Sequence, residues 1–198
     1  MFANSSNAPL TAGGRQRVHR LLAFAALVTV LARPAAADIA ADPSISVHEE
    51  QGVYRVAATF GVPQSPALAV AVLTDYEQIP RFMPDVRTST IIDRAIDHVV
   101  VEQEAVARLM MFSKRIHLVL EVREQPGSIR FRDRCGKSFT TYEGSWTIAE
   151  KDGQTAIRYE LNAQPSFDVP EWLLKRLLKR DATQMIQRLQ AEIASRAR

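Results

Sequence analysis

Two charged side chains fall on strand faces that the alternation of the sequence directs inward, Lys114 and Asp133. A charged group in an apolar interior needs a partner or a shifted pKa. One interpretation is that the two residues pair near a strand end, in contact with water. The other is that they point into a cavity beside Tyr142 or Tyr159, where they would polarise a ligand carbonyl or bind a polar head group. The sequence leaves both interpretations open, and it contains no other candidates for a catalytic role.

The chain lacks the short motifs that mark common enzyme and cofactor sites. No GxSxG, HExxH, P-loop or glycine-rich dinucleotide-binding sequence occurs. His48, His98 and His117 do not have the spacing of metal ligands. Cys135 is the only cysteine, which excludes an intramolecular disulfide and a cysteine-rich zinc site. We therefore predict no metal, no cofactor and no assigned catalytic residue.

The N-terminal segment has the pattern of an export signal. Three arginines precede an apolar run over residues 21–32, and small residues at 35–37 follow it. The run is well short of the roughly 20 residues that a membrane-spanning helix needs. We expect cleavage after Ala37, so that residues 1–37 are a signal peptide, 38–44 a linker and 45–198 one domain. The expected location is the periplasm or the exterior.

The net charge of +3 resides in that N-terminal segment. Residues 1–37 contain four arginines and no acidic residue, so removing them leaves 21 basic against 22 acidic residues, a net charge of −1. Binding to nucleic acid depends on clustered positive charge. We therefore expect no nucleic-acid partner for the mature domain.

Most of the remaining chain alternates in the manner of β-strands. A strand or strand pair covers residues 45–62, with a break near Gln51 and Gly52. Short turn-forming segments separate the later runs, which implies antiparallel hairpins. Further strand-like segments are predicted at residues 86–95, 98–107, 114–124, 128–135, 140–150 and 155–164.

Two helical regions complete the pattern. Ser65 is a suitable N-cap with Pro66 at the first helical position, and Asp75 has capping-box spacing to Gln78. From residue 170 to 197, apolar residues recur every three or four positions. Such a helix is about 42 Å long, enough to cross seven strands that span about 30 Å. We predict an α+β fold with a curved antiparallel sheet of six to seven strands around one long C-terminal helix, and two short helices after the first strand.

One stretch carries a family resemblance. Its characteristic positions are Val70, Val72, Leu73, Asp75, Tyr76, Pro80, Phe82 and Pro84. In its residue types and their order this stretch resembles the START-like (SRPBCC) superfamily, specifically its polyketide cyclase/dehydrase and coenzyme Q-binding families. The resemblance covers residues 45–197 and implies the helix-grip fold, with an apolar ligand held between sheet and helix. Aromatase or cyclase chemistry is known elsewhere in the family.

Alternation assigns the inward faces of the strands and hence the candidate ligand-binding residues. Several inward positions are small, among them Ala105 and Ala163, which leaves space beside the helix. The competing interpretation is that each such residue is ordinary core. Phe82, Met83 and Trp172 are candidates for the pocket rim by analogy with the family. The full set of candidates is Phe82, Met83, Val101, Ala105, Leu109, Phe112, Lys114, Ile116, Leu118, Phe131, Asp133, Tyr142, Trp146, Tyr159, Trp172, Leu177 and Met185.

The connection RLMMFS at residues 108–113 is unusually apolar. As a loop it would cover the pocket mouth or meet a lipid or partner, because loops lie on the surface. The alternative is one continuous bent strand with these residues buried. The sequence does not choose between them.

These observations predict an exported protein that binds a hydrophobic ligand, such as a lipid or an isoprenoid quinone, without transforming it. The alternative is a cyclase, aromatase or hydrolase that uses the same pocket. A transient contact with a membrane is compatible with either function. The sequence specifies neither the ligand nor the oligomeric state.

Overall fold

The structure is a computed structural model that describes residues 43–109 and 112–198, without the side chains of Leu109 and Phe112. The predicted signal peptide and most of the predicted linker lie outside these residues. The strands are β1 (Ser44–Glu50), β2 (Val53–Val62), β3 (Val86–Arg94), β4 (Val99–Leu109), β5 (Phe112–Gln125), β6 (Ser128–Asp133), β7 (Phe139–Lys151) and β8 (Gln154–Pro165). The helices are α1 (Pro66–Leu73), α2 (Ile79–Phe82) and α3 (Glu171–Arg196), with a 3-10 turn at Tyr76–Gln78 before α2.

All the described strands form one antiparallel sheet in the order β1-β2-β8-β7-β6-β5-β4-β3. The expected α+β fold with a long C-terminal helix is confirmed, but the described sheet has eight strands instead of six to seven. Residues 45–62 form a hairpin because Gln51 and Gly52 both adopt positive φ, 53° and 80°, which gives a tight two-residue turn. The two short helices consequently follow the second strand.

Helix α3 packs against the sheet through one apolar stripe. The buried residues of the stripe are Leu174, Leu177, Ala182, Ile186, Leu189 and Ile193. Its 26 residues make it about 39 Å long. It contacts β1, β2 and α1, so it lies across the N-terminal hairpin and leaves room between itself and the other strands. No helix among the described residues is long and apolar enough to cross a membrane.

The family-like stretch anchors the short helices to the rest of the domain. The Ser65 side chain accepts a hydrogen bond from the Leu68 amide at 3.3 Å, as the capping pattern predicts. Asp75 makes no side-chain capping bond, contrary to expectation. Its carboxylate instead pairs with Arg196 at 2.7 Å, at the far end of α3. The buried Tyr76 hydroxyl donates to Glu124 on β5 at 2.7 Å, which ties the 3-10 turn to the sheet.

Of residues 108–113, the described ones form the end of β4 and the start of β5. The backbone of Leu109 lies opposite that of Phe112, so both strands continue almost to the tip. Met110 and Met111 lie outside the described residues, and so do the side chains of Leu109 and Phe112, which leaves these two candidates untested.

Candidate ligand-binding cavity

A cavity of about 500 Å³ lies between the concave face of the sheet, the short helices and α3. Its wall comes from the inward faces of β2 and β4 to β8, from the α2 region and from one side of α3. Volumes of 300 to 1,000 Å³ are typical of sites for small molecules. The space exists because the long helix crosses a curved sheet that bears several small inward residues.

One wall of the cavity is aliphatic. It is formed by β4 and β5, whose register places Val101 opposite Leu120 and Ala105 opposite Ile116. Ala105 and Ala107 leave the space that larger side chains would fill. We call this surface the aliphatic wall.

The facing wall, on β6 to β8, is aromatic. Trp146 and Tyr159 have ring centroids 4.4 Å apart, and Phe139 and Tyr142 are 4.8 Å apart. Phe131 joins the two pairs, at 6.0 Å from Tyr142 and 6.4 Å from Tyr159. These separations lie within the range of favourable aromatic contacts. We call this group of five rings the aromatic wall.

Gly144 makes the aromatic wall possible. It lies opposite Phe131 in the pairing of β6 with β7. A Cβ atom at this position would lie 2.2 Å from the Glu160 carbonyl oxygen and 2.6 Å from Cζ of Phe131. The Phe131 ring therefore occupies the space that any side chain at position 144 would need.

The two phenols of the aromatic wall are held in the neutral form. Burial raises the pKa of Tyr142 to about 12, and the Asp133 charge adds to the increase. Burial raises the pKa of Tyr159 well above its usual value, and the neighbouring Tyr142 adds to that increase. Tyr142 retains some accessible surface toward the cavity. Both hydroxyls therefore stay protonated at neutral pH, and the hydroxyl of Tyr142, the more accessible of the two, is suited to donate a hydrogen bond to a ligand oxygen.

Most of the sequence-predicted site residues lie on the cavity wall. Leu177 and Met185 come from α3, and Phe82 and Met83 come from the α2 region. That any of them contacts a ligand stays a prediction. The predicted residues found on the wall are Phe82, Met83, Val101, Ala105, Ile116, Leu118, Phe131, Tyr142, Trp146, Tyr159, Leu177 and Met185.

Lys114 is not part of the cavity wall. It lies near the tip of the β4–β5 hairpin, where its side chain is exposed. Its ammonium group sits 4.8 Å from the centroid of the Phe167 ring, a cation–π contact. No ion pair joins it to Asp133 among the described residues. Its strand partner Ala107 and the Phe167 ring both line the cavity, so Lys114 lies at the edge of the wall.

Asp133 has a structural environment and does not line the cavity. One carboxylate oxygen accepts from the amides of Val119 and Cys135 at 2.8 and 3.3 Å, and the other accepts from the Gly136 amide at 3.0 Å. The strand ends at Asp133, so alternation no longer fixes where its side chain points. Its carboxylate stabilises the turn after β6 through these backbone hydrogen bonds.

Trp172 also lies off the cavity wall. It occupies the first turn of α3 and is 64% exposed. It precedes Leu174 by two residues, which is about 200° around a helix, so the two side chains face opposite sides. The prediction that Trp172 borders the pocket is not supported by its position.

Sequence reasoning missed the charged rim of the cavity. The side chains of this rim are 34% to 59% exposed and so mark where the cavity meets solvent. On α3, Arg180 and Arg188 are eight residues apart with Gln184 between them, a spacing that places all three on one side of a helix. That spacing was the available signal. We call the five charged residues the mouth: Asp85, Arg108, Arg180, Asp181 and Arg188.

The mouth joins three separate elements through polar contacts. Asp85, in the connection before β3, accepts from Arg108 of β4 at 2.7 Å and lies 3.6 Å from Arg188 of α3. Arg180 donates to the Arg108 carbonyl at 3.3 Å and pairs with Asp181 at 2.8 Å. Partial burial raises the pKa of Asp181, and the nearby Asp85 carboxylate adds to the increase.

The described residues were also compared with the arrangement that a metal site requires. Among the described residues, no group of three or more histidine, cysteine or acidic side chains is arranged to hold a metal ion.

Comparison of the sequence with protein families gives one match. Residues 62–190 match the family described as polyketide cyclase/dehydrase and lipid transport. No curated protein is significantly similar to the chain in sequence.

Solved structures share the fold. A protein from Thermus thermophilus is 18% identical with a TM-score of 0.63, over 73% of this chain and 99% of that one. The Zhui aromatase/cyclase from Streptomyces is 14% identical with a TM-score of 0.63, over 74% and 96% of the two chains. The STAR-related lipid transfer protein from Xanthomonas axonopodis is 15% identical with a TM-score of 0.56, over 77% and 99%. Because the family match runs from the end of β2 into α3, the chain belongs to the polyketide cyclase/dehydrase and lipid transport family.

Proposed function

We propose that this protein binds a hydrophobic ligand, such as a lipid or an isoprenoid quinone, in the cavity between sheet and α3, without transforming it. The observation that carries the proposal is the cavity itself, about 500 Å³ between an aliphatic and an aromatic wall. A folded core normally packs to high density and excludes such space. Water in an apolar cavity lacks the polar partners it needs, so an apolar ligand is the better occupant.

The chemistry of the wall supports binding over catalysis. Of the two charged residues that the sequence suggested could act on a ligand, Asp133 accepts hydrogen bonds from backbone amides and Lys114 contacts the Phe167 ring, and neither is part of the cavity wall. Tyr142 and Tyr159 keep their protons because their pKa values are raised. A general base must be unprotonated near the working pH to accept a proton, and these phenols stay protonated there.

A second candidate function is a cyclase, aromatase or hydrolase that uses the same cavity. A protonated phenol on the cavity wall favours it, since such a donor stabilises negative charge developing on a carbonyl oxygen. In this candidate Tyr142 would be the electrophilic donor, with Tyr159 beside it.

One experiment separates the two functions. The protein is purified from its own compartment, its bound material is extracted and identified by mass spectrometry, and the extract is returned to fresh protein. We expect a stoichiometric apolar ligand whose mass does not change on incubation. A time-dependent change in mass that is lost in Tyr142→Phe and Tyr159→Phe would establish the enzyme instead. An empty protein that also fails to take up apolar probes would reject both.

We also propose that the protein is exported, on the pattern of residues 1–37. N-terminal sequencing of the protein from the exported fraction should begin at Asp38. A full-length form retained in the membrane would contradict the proposal.

Contact with a lipid surface would let an apolar ligand enter without crossing water, and we propose that the start of α3 makes it. Trp172 is exposed there, and the residues from Glu171 to Arg180 include four basic side chains against one acidic. Tryptophan favours membrane interfaces, and basic residues are attracted to anionic lipids. Phosphatidylglycerol vesicles should shift the tryptophan fluorescence of the wild type but not of Trp172→Phe, which retains Trp146. An equal shift in both proteins would reject the contact.

A further inference from the structure

We propose that the mouth binds the anionic head group of an amphipathic ligand whose apolar part fills the cavity. The inference rests on the proposed binding function and specifies the ligand class, a lipid that ends in a carboxylate or a phosphate. Arg188 is its principal donor, with Arg108 and Arg180 beside it. Nothing in the apolar lining requires such a charge, so the mouth is an independent observation.

The charges of the mouth do not cancel. Three guanidinium groups face two carboxylates, Asp85 and Asp181. Each guanidinium has five N–H donors and can bind a carboxylate or a phosphate through two of them. Two carboxylates therefore leave both net positive charge and unused donors at the edge of the cavity.

Arg188 is the least satisfied of the three. Its contact with Asp85 is 3.6 Å, beyond the usual length of a hydrogen bond, while Arg108 holds the same carboxylate at 2.7 Å. Arg188 is 34% exposed and also lines the cavity. An anionic head group placed beside it would supply the charge-assisted hydrogen bonds that Asp85 does not.

The position of the mouth also sets the orientation of the ligand. The aliphatic and aromatic walls cannot accommodate an ionised group without a large desolvation cost. The charged end of an amphipathic ligand must therefore remain where the cavity meets water, beside the arginines. Its chain would extend inward between the two walls.

A purely structural role for the mouth makes a different prediction. If the arginines only hold β4, α3 and the connection before β3 together, they will not discriminate between charged and neutral ligands of equal length. Binding of matched ligands therefore separates the two roles.

The test displaces N-phenyl-1-naphthylamine, a neutral fluorescent probe, with dodecanoate, dodecyl phosphate or 1-dodecanol. We expect the better of the two anions to bind about 10-fold to 100-fold more tightly than the alcohol, the effect of one or two charge-assisted hydrogen bonds. The preference between dodecanoate and dodecyl phosphate identifies the head group. Higher salt should reduce the advantage of the anions and leave the alcohol unchanged.

Variants locate the effect. Arg188→Met should remove most of the anion advantage and leave dodecanol binding unchanged, and Arg188→Lys should retain part of it. Arg158→Met is the matched control, since Arg158 pairs with Glu160 and does not line the cavity. Arg108→Met provides a second test if Arg188→Met does not fold.

Each outcome decides the proposal. Equal affinity for the anions and the alcohol would overturn the head-group site and leave the apolar binding function intact. Failure of all three ligands and of the probe to bind would overturn both. An anion advantage that survives in both Arg188→Met and Arg108→Met would show that other residues bind the head group.

Discussion

The interior of the cavity and its mouth are built on different physical principles. The aliphatic and aromatic walls consist of rings and alkyl groups whose positions follow from strand register and burial. The mouth consists of partly exposed charges from three separate elements. Burial of apolar groups contributes large, local energies, while exposed ion pairs contribute about 0 to 1 kcal/mol. Substitutions that disturb packed groups of the interior should therefore change stability, and substitutions at the mouth should change ligand selection.

The largest effect is expected at Gly144. Gly144→Ala would place Cβ 2.2 Å from the Glu160 carbonyl oxygen, so the strand or the Phe131 ring must move. We expect a loss of about 3 kcal/mol in the free energy of unfolding, measured by denaturant titration. Gly61→Ala is the matched control, since its Cβ would meet only ordinary contacts at 3.6 and 3.9 Å. Equal stability of the two variants would show that the aromatic wall adapts readily.

The dependence of stability on alkaline pH tests whether the aromatic wall excludes water. The folded pKa of Tyr142 is about 12 and that of Tyr159 is also raised, whereas the unfolded chain ionises near the ordinary value of 10. The stability from keeping these phenols neutral is fully present below pH 10 and is lost as the pH rises toward and through the folded values. The free energy of unfolding should fall there by about 1.4 kcal/mol per pH unit for each phenol.

The variant Tyr142→Phe isolates one phenol in that experiment. Above pH 10, the free energy of unfolding of this variant should fall less steeply with pH than that of the wild type, because the contribution of Tyr142 is absent. If the wild-type free energy of unfolding showed no slope above pH 10 from either phenol, the aromatic wall would be hydrated and not dry.

A larger side chain at Ala105 tests whether this residue borders an empty cavity or belongs to a packed core. We expect Ala105→Phe to weaken binding of the neutral probe at least about 10-fold and to reduce the free energy of unfolding by less than about 1 kcal/mol. Overpacking a tight core would instead cost about 1 to 3 kcal/mol. Ala149→Phe, on an exposed position of β7, is the control for the added ring. A large loss of stability together with unchanged probe binding would identify Ala105 as core.

The smallest effect on stability is expected at the mouth. Asp85→Asn removes the carboxylate that Arg108 and Arg188 share, yet it should change the free energy of unfolding by less than about 1 kcal/mol because both partners are partly exposed. Dodecanoate binding should become tighter, since the arginines lose a competitor. Asp93→Asn, an exposed carboxyl with no ion pair among the described residues, is the control. If Asp85→Asn lowered the free energy of unfolding by several kcal/mol, the mouth would be a structural element, and the expected difference between the interior and the mouth would be wrong.

The interior was predictable from the sequence because alternation acts over a single strand. Ile116 and Leu118 differ in position by two, lie on one face of β5 and line the cavity as expected. Neither Lys114 nor Asp133 is part of the cavity wall, and both lie near the end of a strand, where the neighbouring elements no longer fix the direction of a side chain. The spacing of Arg180, Gln184 and Arg188 was a local signal for one side of the mouth, but the pairing of Asp85 with Arg108 and Arg188 forms only in the folded molecule.

The order of the strands sets the timing of folding. Among the described strands, β3 to β8 each pair with their neighbours in the sequence, and β1 pairs with β2, so these contacts are local. The pairing of β2 with β8 is the exception, joining residues about 100 positions apart, as in Tyr54 opposite Ala163. Long-range pairing must overcome the entropy of closing a large loop. We therefore expect a chain that stops before β8 to leave the N-terminal hairpin unpaired, and formation of the β2–β8 ladder to limit the refolding rate.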